Sequence, residues 1–371
     1  MRDRSRVLVV GGGILGTMHA LSALDRGHEV IHLERDPRPR GASVRNFGLI
    51  WVSGRSRGAE LALALVARDR WEQIATRCPE VGFRPNGSIT IAQTPEELAV
   101  LDEAMTQSDA TRRGFERLEV EELRHRNPAL NGELRGGLFC ALDAAVEPRL
   151  VPAALRSMMT KMGRYHWLPG HEICSLSSGR VVDQRGEVHG ADQVFLCPGA
   201  TRRGLIGELL AAAPLRRVRL QMLETDPLDV PLTTSLADGD SLRYYPAFDL
   251  PSRAALGAQS PLAAAHRIQL LCQQRLDGSL TLGDTHAYDE PFPFDLDDRA
   301  SDYLLEQLSE ILGRPAPRVR RRWAGIYSQL HDDAGGALYF RGEVDNGVSI
   351  VTGPGGRGMT LSPAIAEESF E

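Results

Sequence analysis

A strand, a glycine-rich turn and a helix follow one another near the beginning of the chain. Residues 6–16 read RVLVVGGGILG, and the next apolar run, VIHLE, ends on Glu34. In this spacing Gly11 allows the tight turn, Gly13 lets a pyrophosphate approach the backbone, and Gly16 lets the helix pack on the strand. Glu34 follows at about the distance expected for a carboxylate that binds ribose hydroxyls. The pattern predicts a Rossmann-type βαβ unit with a dinucleotide at its helix N-terminus.

A second glycine-rich turn lies near the end of the chain. The strand pattern VSIVTG leads into residues 353–359, GPGGRGM, and then into a helix start. A nicotinamide dinucleotide needs one glycine turn for its pyrophosphate, whereas a flavin has a use for a second. The flavin ring becomes anionic at N1–C2=O on reduction, and a helix N-terminus stabilises that charge. The two turns together favour FAD, with an NAD(P)-dependent oxidoreductase as an alternative.

The bulk composition argues against several classes of protein. With 371 residues the chain is long enough for two domains, and its net charge of −6 argues against a nucleic-acid partner. No apolar run has the length of a membrane-spanning helix, and we expect no signal peptide before the first strand. The cysteines are scattered, without the spacing of a metal site, which predicts a reducing cytoplasmic location and no metal; they are Cys78, Cys140, Cys174, Cys197 and Cys272.

The later part of the chain is dominated by alternating patterns. Residues 82–92 are typical of a hairpin with Asn86-Gly87 at its turn. Between residues 215 and 325 the segments RLQMLET, SLRYYPAF, RIQLLCQQ and SLTLGDT are interrupted by one helical pattern, near 299–312. These segments predict an antiparallel sheet that forms a separate substrate lobe. The expected fold class is therefore α/β, with a Rossmann-type domain beside an antiparallel-sheet domain.

Several motifs together resemble one family over essentially the whole chain. They are RVLVVGGGILG with HLERD, GASVRNFGLIW, GADQVFLCPGA, RRWAGIY and GPGGRGMTLSPAIAE. The chain resembles the FAD-dependent D-amino-acid oxidase, glycine oxidase and sarcosine oxidase family. A finer set of segments is similar to a subgroup associated with bacterial phosphonate breakdown; the set comprises GASVRNFGLIW, RLQMLET, SLRYYPAF, TLGDTHAYDEPFPF and WAGIY. The resemblance implies a glutathione-reductase-like FAD fold with discontinuous domains, in which residues 1–80, 140–214 and 326–371 bind FAD and residues 81–139 and 215–325 bind substrate.

The resemblance also implies a set of FAD-binding residues. It places Glu34 at the adenosine ribose, Arg35 beside the adenine, residues 42–49 along the pyrophosphate and ring edge, and the second glycine turn at the flavin N1–O2 edge. The complete expected set is Gly11, Gly13, Ile14, Leu15, Gly16, Glu34, Arg35, Ala42, Ser43, Arg45, Asn46, Phe47, Gly48, Leu49, Ile173, Pro198, Gly199, Gly355, Gly356, Gly358, Met359 and Thr360.

The mode of FAD attachment follows from one departure from the family. Covalent members carry a cysteine at about the position of Gly325, and this chain has no cysteine after Cys272. We therefore expect non-covalent FAD. This departure also weakens an assignment as a sarcosine oxidase.

The resemblance implies oxidation of a C–N bond. A hydride would pass from a small amine to flavin N5, water would hydrolyse the imine, and O2 would reoxidise the flavin and yield H2O2. The substrate would be an amino acid or an aminophosphonate, N-methylated amines included. An FAD-dependent dehydrogenase that passes electrons to a quinone or a protein is the alternative. Monomer and homodimer both remain open.

The candidate catalytic residues lie in several segments. Arg243 and Tyr245 would share one face of a strand and clamp the substrate anion, unless that face meets solvent. His286 would donate a hydrogen bond or accept a proton from the substrate ammonium, or be structural. The remaining candidates are Tyr327 as a cavity wall, Trp51 over the flavin or in the core, and Arg357 at the substrate anion or in solvent.

Overall fold

The computed structural model describes residues 5–177, 180–332 and 334–371. The helices in this part of the chain are α1 (Ile14–Asp25), α2 (Ala59–Arg77), α3 (Pro95–Thr106), α4 (Val120–Arg126), α5 (Val151–Lys161), α6 (Gly204–Leu209), α7 (Ser241–Tyr244), α8 (Pro261–His266), α9 (Asp298–Leu312) and α10 (Gly358–Glu368). The strands are β1 (Arg6–Val10), β2 (Glu29–Glu34), β3 (Leu49–Ile50), β4 (Ser88–Ala92), β5 (Phe115–Leu118), β6 (Gly136–Cys140), β7 (Ala144–Ala145), β8 (Tyr165–Pro169), β9 (Ile173–Ser177), β10 (Arg180–Asp183), β11 (Val188–Gly190), β12 (Gln193–Leu196), β13 (Leu215–Pro227), β14 (Ser235–Ala237), β15 (Leu271–Gln274), β16 (Ser279–Gly283), β17 (Val319–Leu330), β18 (Phe340–Asp345) and β19 (Val348–Thr352).

The first large sheet is the Rossmann sheet predicted from the glycine turn. Its strand order is β18-β19-β12-β1-β2-β8, and all neighbours are parallel except β18 and β19. Val7, Leu8 and Val9 in β1 are fully buried, as expected for a parallel strand covered on both faces. Both glycine turns therefore leave the carboxyl ends of strands in the same sheet, where ligands of open α/β sheets bind.

The second large sheet is predominantly antiparallel. Its order is β17-β13-β16-β15-β14-β4-β6-β5, with β14 and β4 as a parallel pair. Helix α9 packs on it because Leu304, Leu308 and Ile311 repeat at helical spacing and are buried. The α/β class with a Rossmann sheet and an antiparallel sheet is thus confirmed. The chain limits of the two domains stay a prediction.

Two local predictions were wrong. Residues 82–92 do not form a hairpin, because β4 pairs with β6 and β14, whereas Arg84 bridges to Ala145. The left-handed turn at Gly87 redirects the chain between these contacts.

The segment SLRYYPAF is also not a strand, which overturns the expected alternation of Arg243 and Tyr245. Ser241 donates its backbone N–H to the Asp238 carboxylate at 3.0 Å and its hydroxyl to the Asp238 carbonyl. These local bonds start the short helix α7, and Pro246 then begins a 3-10 turn.

Two smaller findings complete the fold. Residues 179–184 read GRVVDQ, a pattern typical of a strand; β10 covers its Arg180–Asp183, and Gly179 lies outside the described residues. Among the described residues, no helix is both long enough and apolar enough to cross a membrane.

Candidate active site

A cavity of about 1400 Å³ lies between the carboxyl ends of the Rossmann strands and the antiparallel sheet. Both glycine turns, the 42–49 loop and all six candidate catalytic residues line it. Of the residues expected to bind FAD, only Gly16, Gly48 and Thr360 are absent from its wall. The structure therefore brings together segments from the two ends and the middle of the chain.

The three glycines of the first turn have different physical roles. Gly11 has φ +110°, and a Cβ there would lie 2.3 Å from the Cys197 carbonyl oxygen. A Cβ on Gly16 would lie 2.0 Å from the Gly11 carbonyl oxygen, so Gly16 permits the packing of α1 on β1. A Cβ on Gly13 would meet only the Ser43 hydroxyl, at 3.1 Å. Gly11 and Gly16 therefore shape the turn, and Gly13 keeps space open on the cavity side.

Glu34 and His32 hold this turn in place. One oxygen of Glu34 accepts the Gly12 N–H at 2.6 Å, and Glu34 still lines the cavity, where it can receive ribose hydroxyls. His32 makes contacts of 2.9 Å to the Gly11 carbonyl through Nε2 and to the Tyr165 hydroxyl through Nδ1. Burial lowers the pKa of His32 to about 4, so its imidazole is neutral near pH 7. Sequence reasoning missed His32, because it lies within an ordinary apolar strand pattern.

The depressed pKa of His32 predicts a pH-dependent contribution to stability. Between about pH 6.5 and pH 4 the unfolded chain binds a proton at this site that the folded protein does not, so stability falls as the pH falls. The wild type should therefore lose up to about 3 kcal/mol relative to His32→Gln over this range. Chemical denaturation at a series of pH values measures the difference, with the exposed His125→Gln as control. A difference between wild type and His32→Gln that does not change with pH would contradict the prediction.

The 42–49 loop is built by local hydrogen bonds. The Asn46 amide donates to the carbonyls of Ala42 and Ser43 at 2.9 and 3.0 Å and accepts the Gly48 N–H at 2.7 Å. The Ser43 hydroxyl accepts the N–H of Ile14 at the start of α1, at 2.8 Å. These bonds fix the loop beside the first glycine turn.

Gly48 and Thr360 do not line the cavity but contact residues of the segments that do. Gly48 has φ +78°, and a Cβ there would lie 2.2 Å from the Val146 carbonyl oxygen. The Thr360 hydroxyl accepts the Trp51 N–H at 2.9 Å and donates to the Leu49 carbonyl at 3.3 Å. Thr360 thus joins helix α10 to the end of the loop, and its expected role beside the flavin remains a prediction.

Trp51 and Tyr327 place buried polar atoms beside the cavity. The indole N–H of Trp51 makes no hydrogen bond within the described parts of the chain, whereas the Tyr327 hydroxyl faces the hydroxyl of Tyr244. Burial raises the pKa of Tyr327 well above its ordinary value, so this hydroxyl keeps its proton. The fit of the cavity to a dinucleotide rests on its volume and on the open space at Gly13, where a Cβ would meet only the Ser43 hydroxyl.

Aromatic and acidic side chains meet on the antiparallel-sheet side of the cavity. The His286 ring stacks on Tyr244 with centroids 4.3 Å apart, and its Nε2 lies 3.9 Å from the Asp284 carboxylate. Asp284 also faces the amide of Gln269 at 3.3 Å, and burial raises the pKa of Asp284. Sequence reasoning missed both Tyr244 and Asp284. The strand prediction placed Tyr244 on the opposite face from Arg243.

Two arginines share one carboxylate on another part of the wall. Arg55 is 6% exposed and lies 3.6 Å from Glu60, and Arg357 lies 3.5 Å from the same oxygen. Burial alone would raise the pKa of Glu60, but the two guanidinium groups hold it below its ordinary value. Neither arginine has a further acidic partner among the described residues, so this group carries a net charge of +1. Sequence reasoning missed Arg55, because no motif in the sequence contains it.

Arg243 is differently placed from the prediction. It lines the cavity, but its guanidinium contacts the Asp240 carboxylate at 3.4 Å and donates to the Gly257 carbonyl. Tyr245 packs instead against Trp51, with ring centroids 5.9 Å apart. Arg243 and Tyr245 therefore do not present a joint face to the cavity.

A cluster of polar side chains lies at the edge of the cavity that includes His171. His171 and His189 both approach one oxygen of Asp183, at 2.5 and 3.2 Å, and Glu187 lies nearby. Two ligands of a tetrahedral zinc ion lie about 3.3 Å apart, given metal–ligand distances near 2.0–2.1 Å. The shorter separation is that of a hydrogen bond, so the cluster locks the turns around β10. Burial alone would raise the pKa of Asp183, but the bonds from the histidines keep it below its usual range.

The fold and the cavity together define a class of protein. A Rossmann sheet with two glycine turns, open to a cavity that an antiparallel sheet closes, is the architecture of a two-domain dinucleotide-dependent oxidoreductase. Residues 6–371 match the family model described as DAO, FAD dependent oxidoreductase. The chain therefore belongs to this family, is an FAD-dependent oxidoreductase, and uses FAD as its cofactor.

Individual relatives are distant in sequence. A protein named as a subunit of the opine oxidase of Agrobacterium tumefaciens (strain Ach5) is 26% identical over 234 residues, which span 59% of this chain and 62% of that protein. Glycine oxidase from Bacillus cereus ATCC 14579 superposes with a TM-score of 0.77 at 18% identity, covering 98% of this chain and 93% of the other. Iminodiacetate oxidase from Chelativorans sp. BNC1 gives 0.73 at 18% identity with the same coverage. At these identities the two structures show likeness of fold.

Proposed function

We propose that this enzyme oxidises the C–N bond of a small amine that carries a carboxylate or phosphonate group. The observation that carries the proposal is the net positive group of Arg55, Glu60 and Arg357 on the cavity wall. Arg55 is buried and Arg357 is half-buried. An excess of positive charge in such a place is costly unless an anion neutralises it. The proposal places the substrate anion there and not at Arg243, whose charge Asp240 already balances.

The relatives support an amine of this kind. The relative matched in sequence is named as part of an opine oxidase, and two structural neighbours are named as glycine and iminodiacetate oxidases. Glycine and iminodiacetate are both amines with attached carboxylates. An aminophosphonate, N-methylated or not, presents the same combination with a different anion, and we include it because of the resemblance to the phosphonate-associated subgroup.

The residues of the cavity would bind and orient this substrate. FAD, when bound, supplies the acceptor for the hydride that leaves the carbon beside the nitrogen. Arg55 and Arg357 would hold the anion, and a planar guanidinium can bind two of its oxygens at once. His286, stacked on Tyr244 and close to Asp284, would accept the ammonium proton so that a neutral amine is oxidised. Trp51 and Tyr327 would exclude bulk water from the reacting carbon.

We further propose O2 as the electron acceptor, with H2O2 as a product. A dehydrogenase that transfers electrons to a quinone or protein is the second candidate. Purified enzyme supplied with glycine, iminodiacetate and 2-aminoethylphosphonate should consume O2 and form an equal amount of H2O2. Turnover that requires an added quinone or dye, without peroxide, would favour the dehydrogenase. No turnover with any amine would contradict the proposed function.

We propose that FAD is held without a covalent bond. The chain has no cysteine beyond Cys272, and Cys197, which does line the cavity, lies at the end of β12 beside the first glycine turn. Acid precipitation should therefore leave all of the flavin in the supernatant, where absorbance and chromatography against authentic FAD measure it. Flavin retained by the washed precipitate would show that another residue attaches it.

We propose a cytoplasmic location for the enzyme. The cysteines are free, which agrees with a reducing cytoplasm. Both a monomer and a homodimer are compatible with the proposal, because the structure forms the cavity from one chain.

A further inference from the structure

Arg275 links the antiparallel sheet to the FAD-binding loop. It follows β15, and its side chain is 9% exposed. The guanidinium donates to the Phe47 carbonyl at 2.8 Å through Nη1 and to the Asn46 carbonyl at 3.2 Å through Nη2. Its Nε donates to the Thr281 hydroxyl at 2.8 Å. Two of the three donating nitrogens are thus committed to consecutive peptide groups of the 42–49 loop.

The charge of Arg275 is balanced within the same region. Glu147 lies 3.9 Å from Arg275 and accepts a hydrogen bond from Arg84 at 2.8 Å. Glu147 also accepts the Leu276 N–H at 3.2 Å. Burial lowers the pKa of Arg275 to about 10, still well above neutral, so the guanidinium remains charged. A charged donor forms stronger hydrogen bonds to carbonyls than a neutral one does.

These contacts determine the direction of the loop peptides. In a trans peptide the C=O and the following N–H point in opposite directions. Holding the Asn46 carbonyl on Arg275 therefore turns the Phe47 N–H away from the guanidinium. Asn46 and Phe47 both line the cavity. Phe47 also packs on the sheet, since a Cβ on Gly283 would lie 3.1 Å from its ring.

We propose that Arg275 is a positioning residue that fixes the orientation of the 42–49 loop and thereby the affinity for FAD and the environment of the flavin. It would act through the carbonyls of Asn46 and Phe47, without contact to substrate. In this way a residue that follows a strand of the antiparallel sheet would determine the conformation of the loop that contacts FAD. No sequence motif marks Arg275, because its partners in the loop lie more than two hundred positions away.

The test compares two arginines that share Glu147. Arg275→Met keeps the length of the side chain and removes its donors. Arg84→Met is the matched control, because Arg84 contacts Glu147 and the carbonyls of Gly82 and Gln274 but no residue of the loop. In each variant Glu147 keeps the other arginine, so neither leaves the carboxylate unpaired.

We expect Arg275→Met to raise the FAD dissociation constant on the order of 10- to 100-fold, because each binding event must then order the loop. Its visible circular dichroism in the flavin bands should also change, and Arg275→Lys should restore part of the affinity. Arg84→Met should bind FAD within about 3-fold of wild type and keep the spectrum. Fluorescence titration of the apoproteins measures the affinities, and thermal unfolding of the same apoproteins reports stability.

Two results would overturn the proposal. One is an unchanged FAD affinity and spectrum in Arg275→Met. The other is an equal loss of affinity in both variants, in proportion to their loss of stability. If Arg275→Met does not fold, Arg275→Gln replaces it with the same expected and contrary results. Failure of both to fold would make Arg275 a requirement of the fold and would also overturn the proposal.

Discussion

Replacement of Gly13 by valine should strongly weaken FAD binding and leave the fold intact. A Cβ at Gly13 would meet only the Ser43 hydroxyl, at 3.1 Å, so a shift of that hydroxyl by a few tenths of an ångström is enough for the apoprotein to accommodate the Cβ. The same side chain would enter the space through which a pyrophosphate approaches the backbone. If the displaced pyrophosphate loses two charge-assisted hydrogen bonds from backbone N–H groups of the turn, at about 1.5–3 kcal/mol each, FAD binding should weaken roughly 100-fold or more. Titration of the apoprotein with FAD measures this loss, and circular dichroism confirms the fold.

Gly16→Ala is the contrasting variant. Its Cβ would lie 2.0 Å from the Gly11 carbonyl oxygen, so this substitution should destabilise the protein itself. A folded Gly13→Val protein that still binds FAD with wild-type affinity would refute the assignment of the first glycine turn to the pyrophosphate.

The second large effect is expected at Arg55. Arg55→Met removes one cation from the group that it forms with Glu60 and Arg357. Glu60 would then balance the charge of Arg357, and the substrate anion would lack a countercharge. Such a loss costs about 2–5 kcal/mol, which corresponds to roughly 30-fold to several thousand-fold in kcat/KM. Arg55→Lys should recover part of the loss, because an ammonium cannot reproduce the planar fork. Steady-state kinetics with the best amine measures all variants.

Arg243→Met is the matched control for Arg55. Arg243 lines the same cavity, but its guanidinium is already engaged by Asp240 and the Gly257 carbonyl. We expect its kcat/KM to stay within about 3-fold of wild type. The reverse pattern, a large loss at Arg243 and none at Arg55, would move the anion site to Arg243. The flavin spectrum and the unfolding midpoint of each variant separate substrate binding from damage to the fold.

The sequence predicted the parts of this site that depend on local geometry. The strand, glycine turn and acid at Glu34 impose a spacing that few other structures require, and the structure places them as predicted. The failure at SLRYYPAF has a local cause, since hydrogen bonds from Ser241 to Asp238 and the proline at 246 outweigh the alternating pattern.

Other parts of the site could not be predicted from spacing. The contacts of Arg55 to Arg357 through Glu60, and of Arg275 to the 42–49 loop, join residues that are far apart in the chain. His32 is hidden for a different reason. The sequence pattern of an apolar strand does not indicate which carbonyl group a histidine within it will contact across the turn. Only the folded arrangement of the strands brings these groups into contact.

Anaerobic mixing of the purified protein with candidate amines tests the central claim most directly. The protein should be yellow, and its absorbance near ~450 nm should bleach on addition of an amine that bears a carboxylate or phosphonate. The same amine without its anionic group should bleach the flavin far more slowly. A colourless protein would contradict the account. So would a flavin that is bleached by reduced nicotinamide but by none of the amines.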